Sequence, residues 1–388
     1  MSTQLLTLCS RINFTEENYQ QLLEFSKQVE IWDDIPLLAE QQGLAPLVCR
    51  YLKDGKIEHP NNVRRELQAL YLRHKHANRI LTESLHEILS AFQQAGIRAI
   101  LLKGMALSYL LYPEPNLRPK RDMDILVKKS EAKQAQQILA NLGFDAPLPN
   151  NELYSDKHLP IADRQSQGMT VSVEIHHNLF DAYYPISMTF DDLTVPQISF
   201  PIDGTTAYTL GYEDMLWHLC QHVAYHANVW EPIRLIWVAD IVGIAEKFAL
   251  DIDWTHITKE YPLILNMLSL FHCFTPLSAQ LLSAAPIKVG PKPQGIGEEF
   301  SGWPRVPFKP QENKGYKPIL RATLFPSEWW LRLHYGLDTT QYLFLYRLIK
   351  HPLYIFAIAS WRSVFAKLWY RWQIHPLKLV GRLKQSVK

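Results

Sequence analysis

Two aspartates separated by one residue open an apolar run, Asp122-Met123-Asp124-Ile125-Leu126-Val127. Alternate residues of a strand share a face, so Asp122 and Asp124 project together. Two carboxylates side by side repel each other and are costly unless a cation sits between them. The stretch before them reads as a short apolar strand over Ile97–Leu102, a Lys103-Gly104 turn, a short helix over Met105–Leu111 and a basic loop with Arg118, Lys120 and Arg121. A divalent metal is the natural partner of the aspartates, and a metal beside a glycine turn and arginines suggests phosphate chemistry.

The rest of the chain divides around this stretch. Residues 1–95 form an N-terminal helical region: Thr15 caps one helix, and two more, from about Asp34 and Leu44, flank Gly43. Val63, Leu67, Leu70, His74, Ala77, Leu81, Leu85, Ile88 and Phe92 then recur at three- and four-residue steps, the mark of one long helix stopped at Gly96. Residues 96–204 are the sheet domain. There Glu131–Leu142 reads as a helix, Met169–His176 as a half-buried strand with Glu174 on its polar side, and Ile198–Ile202 as a further strand. Residues 205–285 are a helical domain, with an amphipathic helix over Glu213–His226 and a core helix over Ile233–Phe248. Twelve Pro and Gly in 286–318 mark an irregular loop, and 319–388 is a basic, aromatic helical tail. The fold class expected is α+β, a small mixed sheet with flanking helices and helical regions on either side.

Composition narrows the class. At 388 residues, 47% hydrophobic and 20% charged, the chain has an ordinary globular balance and room for two domains. Cys9, Cys49, Cys220 and Cys273 are scattered, which argues against a zinc finger or a secreted disulfide scaffold. The N-terminus lacks a signal-peptide pattern and no run approaches a membrane span. A cytoplasmic location is expected, with the inner membrane face as a possible peripheral site.

The chemistry rests on three carboxylates placed on neighbouring strands, Asp122, Asp124 and Glu174. Together they suit two divalent ions, one activating an attacking hydroxyl and the other stabilising the leaving oxygen. Hard oxygen ligands favour Mg2+ or Mn2+ over zinc. Gly104 follows a strand and opens a helix, so its amide and the helix N-terminus suit a phosphate. Lys103, Arg118, Lys120 and Arg121 add positive charge there.

The segments LLKG (101–104), YPEPNLRPKRDMDILV (112–127) and VEIHHNL (173–179) resemble the uncharacterised nucleotidyltransferase family of bacteria, a branch of the DNA polymerase beta-like superfamily. The resemblance extends to HLCQHVAYHANVWEPIRLIWVADI (218–241), the family's helical half, and covers roughly residues 20 to 250. It implies that Gly104 is the turn glycine, Asp122 and Asp124 the metal pair and Glu174 the third carboxylate, which either completes the second metal site or acts as base toward the acceptor hydroxyl. Phosphate binding then falls to Lys103, Gly104, Arg118 and Arg121. The turn reads Lys-Gly-Met where the superfamily commonly has Gly-Ser, and the loop from Gly104 to Asp122 is longer than in compact members. The implied activity is transfer of a nucleotidyl group from a nucleoside triphosphate to an acceptor hydroxyl. The acceptor, whether small molecule, peptide, saccharide or protein, is open. The alternatives are a silent nucleotide- or peptide-binding accessory of a biosynthetic cluster and a protein acting at a membrane through its tail.

Further candidates line the cleft. His218, His222 and His226 share one helix face at a spacing that also suits metal ligands; a polar face lining the cleft or bonded to the core is the favoured reading. Asp240 lies in an apolar helix and needs a partner if buried, with His222 or His226 as the candidate. Arg234 either contacts a substrate phosphate or caps a neighbouring helix. His176 and His177 adjoin Glu174 in a supporting or a structural role. In the tail, Trp361, Trp369, Tyr370 and Trp372 alternate with Arg362, Lys367 and Arg371, and no acid follows Asp338. The favoured reading is an amphipathic helix packed on the helical domain with its basic face in water; the other is contact with an anionic membrane or RNA.

Overall fold

Caps and glycine turns set out the N-terminal helices of the computed structural model, which describes residues 2–148, 157–180, 186–228, 233–293 and 324–356. Helix α1 spans Ser2–Leu8 and α2 Glu16–Ser26. Thr15 caps α2: its Oγ1 accepts the Asn18 amide at 3.3 Å, and Asn18 Oδ1 accepts the Thr15 amide at 3.0 Å, satisfying two orphan donors reciprocally. Helices α3 (Ile35–Gln41) and α4 (Ala45–Asp54) meet at Gly43, whose φ of +73° suits glycine alone without strain.

Helix α5 runs over Asn61–Gln94, 34 residues, and is about 50 Å long. Val63 and Leu67 near its start are buried in a large helical core, while the stretch from Ile80 to Phe92 is buried in a second core under the sheet. One element therefore fixes both cores, as its long apolar stripe implied.

Among the described residues six strands follow: β1 (Ile100–Leu101), β2 (Asp122–Leu126), β3 (Ala162–Ser166), β4 (Met169–His176), β5 (Ile198–Ile202) and β6 (Thr205–Thr209). Their order in the sheet is β3-β4-β2-β1-β6-β5. The pairs β2–β4 and β1–β6 are parallel and the other neighbours antiparallel. The fold is α+β with a mixed sheet. The strand expected over Ile97–Leu102 narrows to two residues, with Ile97–Ala99 outside the ladder, and helix α6 (Lys103–Leu110) starts two residues earlier than its apolar pattern implied. Strands β3 and β6 escaped the sequence reading: Ala-Asp-Arg-Gln-Ser carries little apolar signal, and as an edge strand β3 buries only Ala162.

Helix α7 (Ala132–Asn141) packs on the sheet. After it come α8 (Tyr212–Asn228), α9 (Leu235–Lys247), α10 (Trp254–Glu260), α11 (Pro262–His272), α12 (Ala279–Ala284) and α13 (Glu328–Tyr335). These helices and α1–α4 share one hydrophobic core, tied by a buried ion pair of 2.9 Å between Arg11 and Glu246. The two helical regions that flank the sheet in sequence thus bury into each other. Residues 344–356 are helical, whereas most of the expected 286–318 loop and the tail residues Trp361, Arg362, Lys367, Trp369, Tyr370, Arg371 and Trp372 lie outside the described residues.

Candidate active site

Parallel pairing of β2 with β4 sets the site. Asp122 is opposite Ser172, Asp124 opposite Glu174 and Leu126 opposite His176. Met123, Ile125, Val171, Val173 and Ile175 are all fully buried in the sheet core, so strand alternation sends the polar set to the opposite face. There Asp124 Oδ1 accepts hydrogen bonds from Lys103 Nζ at 2.8 Å and from His176 Nε2 at 2.9 Å. His176 Nε2 also lies 3.3 Å from Glu174 Oε2. Ligand atoms of Asp124, Glu174 and His176 all fall within 4.8 Å of one another.

The electrostatics follow from this crowding. Burial alone would raise the pKa of Asp124, but Lys103 and then His176 hold it well below the usual carboxylate range. Glu174 is lowered too: burial opposes its charge, but the His176 hydrogen bond and the charges of His158 and His176 together outweigh it. Lys103 moves up, because Asp124 more than offsets the burial of its ammonium. Asp122 stays exposed by surface area at the start of β2, yet surrounding protein atoms and then the Asp124 charge push its pKa up. The expected trio of Asp122, Asp124 and Glu174 is therefore gathered differently. Asp124 and Glu174 converge with His176, and Asp122 sits one strand step away on the rim.

The turn into α6 is strained. Lys103 takes φ +44°, a region that costs a side-chain-bearing residue about 1 kcal/mol or more. The next residue, Gly104, has the Arg118 guanidinium against it: a Cβ there would lie 3.0 Å from Arg118 Nη1. Arg118 is not free for phosphate as expected. It is buried, and its Nε and Nη2 donate to Asp240 Oδ2 at 3.0 and 2.7 Å, while the Tyr112 hydroxyl donates to Asp240 Oδ1 at 2.7 Å. Arg118 and Tyr112, not His222 or His226, are the partners of Asp240. The loop after α6 lays them on α9, and a fully buried carboxylate requires a matched cation. Arg121 is exposed and has no hydrogen bond or ion pair among the described residues. Lys120 Nζ is held by Asn78 Oδ1 and the Pro115 carbonyl, and burial pulls its pKa well down.

The histidine face of α8 lines the cleft. His218 and His222, with Lys103, Lys157, Phe180 and Gln221, border a cleft of about 360 Å³ including its solvent-open part. Burial, and then the nearby Lys103 charge, holds both histidines well below their ordinary pKa, so they are neutral. His226 instead packs on Trp237, ring centres 4.6 Å apart. Arg234 takes the capping role: its Nε donates to the Gln41 carbonyl at 3.2 Å at the end of α3. His177 is half-buried, and burial lowers its pKa.

Sequence reasoning missed His158, whose Nε2 lies 3.7 Å from Glu174 Oε2 and whose backbone pairs with His176. A lone histidine outside any motif gave no signal. Tyr112 stood within the quoted YPEPNL segment, but nothing local pointed to Asp240, 128 residues on.

Comparison with known proteins shows the family. The sequence model of a family described as uncharacterised nucleotidyltransferase matches residues 29–277, well over half of the chain. The chain belongs to this family. Among solved structures, the nucleotidyltransferase is similar to the antibiotic-resistance factor ANT(2'')-Ia in solution, at 13% identity and a TM-score of 0.31, covering 44% of this chain and 85% of that one. It is also similar to a nucleotidyltransferase-like protein from Paracoccidioides brasiliensis, at 13% identity and a TM-score of 0.35, covering 57% of this chain and 97% of that one. No curated protein matches it.

Proposed function

We propose that this nucleotidyltransferase moves a nucleotidyl group from a nucleoside triphosphate to an acceptor hydroxyl with a divalent ion, Mg2+ or Mn2+, at the β2–β4 face. The observation that carries the reading is the convergence of Asp124, Glu174 and His176 within 4.8 Å beside the Lys103 turn.

The donor set fits such an ion. Asp124 and Glu174 offer hard carboxylate oxygens kept ionised by their neighbours. In the tautomer that leaves Nε2 unprotonated, His176 would add a nitrogen that Mn2+ accepts more readily than Mg2+. Asp122 completes the set from the rim. A bound ion supplies charge that favours the attacking oxygen's ionised form and offsets charge on the leaving oxygen.

The chain's own groups do the rest. Lys103, on Asp124 and at the cleft wall, and the exposed Arg121 hold the phosphates. Arg118 supports the turn from beneath through Gly104. Glu174, with its lowered pKa, suits a ligand better than a proton acceptor. His218 and His222 bring neutral polar edges to the cleft. The acceptor oxygen attacks the α-phosphorus, the bond to the bridging oxygen breaks, and pyrophosphate leaves as the hydroxyl proton passes to solvent.

Pyrophosphate release from each nucleoside triphosphate with Mg2+, over a panel of hydroxyl acceptors, tests the reading. The double variant Asp122→Asn/Asp124→Asn should lose turnover while keeping its far-ultraviolet dichroism. Undiminished turnover in that variant would refute the assignment.

A further inference from the structure

The helix over residues 344–356 turns its apolar side outward. Phe344 is 71% exposed, Leu348 52%, Leu353 62% and Phe356 71%, and Leu345 and Ile349 lie beside them. A π-turn over Tyr346–Lys350, with its wider repeat, brings these spacings of three, four and five residues onto one stripe, about 20 Å long. The opposite side is the one that packs. The fully buried His351 meets the Tyr335 hydroxyl through Nδ1 at 3.1 Å, Tyr354 lies 5.1 Å from His334, and Tyr346 lies 5.2 Å from Tyr335. These contacts with α13 fix the stripe away from the protein.

The charge on this helix is of one sign, and so is that of the sequence after it. Arg347 and Lys350 belong to the helix, and no Asp or Glu occurs from Thr339 to Lys388, against nine Lys and Arg. A second copy of this face would carry the same positive charge and repel it. A negatively charged surface that also accepts apolar side chains meets both properties. No helix among the described residues is long and apolar enough to cross a membrane.

We propose that the 344–356 helix lays its Phe344–Leu348–Phe356 stripe on an anionic lipid surface, holding the nucleotidyltransferase there. This differs from the packing favoured for the tail on sequence alone, in which the apolar side faces the helical domain. It is independent of the metal site, so either reading stands or falls alone.

Co-sedimentation of the full chain with phosphatidylcholine vesicles, with and without phosphatidylglycerol, tests it. Binding is expected to the mixed vesicles only, and to weaken with added salt. Phe344→Ser/Leu348→Ser/Phe356→Ser should reduce it about tenfold or more. Lys350→Gln, which removes one exposed charge, should reduce it about fivefold and serves alone if the triple variant does not fold. Absence of binding, equal binding to both vesicle types, or binding unchanged in both variants overturns the proposal. So does a chain that ignores vesicles but self-associates through the stripe, or one that binds RNA alone.

Discussion

Asp124 and Glu174 are register partners on adjacent parallel strands, and His176 Nε2 stands 2.9 and 3.3 Å from their carboxylates. This relationship couples the fold to acid stability. The pKa of Asp124 is depressed in the folded protein, so the stability it contributes is present above the unfolded value, about 3.9, and is lost as pH falls towards the folded value. Glu174 acts in the same direction. Urea unfolding from neutral pH down to about pH 3 should show an acid limb that is shallower in Asp124→Asn.

The buried histidines act at milder pH. His218 and His222 have lowered folded pKa values, so below about pH 6.5 the unfolded chain takes up protons that the folded one refuses. Stability should then fall with pH by about 1.4 kcal/mol per unit for each histidine. His218→Gln should remove one share of that slope, read from unfolding free energies between about pH 7 and 5.

The Arg118–Asp240 pair predicts a stability coupling. Asp240→Asn leaves the Arg118 charge buried without its partner and should cost about 3–5 kcal/mol. Arg118→Met/Asp240→Leu removes both charges and should recover much of that loss. Denaturant unfolding of the two singles and the double gives the interaction energy.

Gly104→Ala tests the packing beneath the phosphate turn. The added Cβ would lie 3.0 Å from Arg118 Nη1 and 3.3 Å from Cζ, and Arg118 is tied to Asp240 and cannot easily give way. A loss of about 1–3 kcal/mol is expected, measured by thermal unfolding. An unchanged melting temperature would mean that Arg118 shifts freely.

The elements with strong periodicity were legible in the sequence. The stripe from Val63 to Phe92 and the alternation of Met169–His176 carried helix α5 and strand β4 almost to their ends. The Asp124 and Glu174 positions came from the same alternation, because strand phase decides which side chains leave the core. What stayed hidden depends on long-range pairing. Arg118 reads as a free phosphate ligand until α9 brings Asp240 to it, and His158 gains meaning only when β4 lies beside it. Strand β3 was invisible because an edge strand with one solvated side needs no apolar pattern.

Metal binding tests the central claim most directly, since it needs no acceptor. Mn2+ titration, followed by the electron paramagnetic resonance signal of the free ion with a nucleoside triphosphate present, compares the wild type with Asp124→Asn and Glu174→Gln. The account predicts binding by the wild type and a loss of about tenfold or more in each variant. Equal Mn2+ affinity in all three proteins would contradict it.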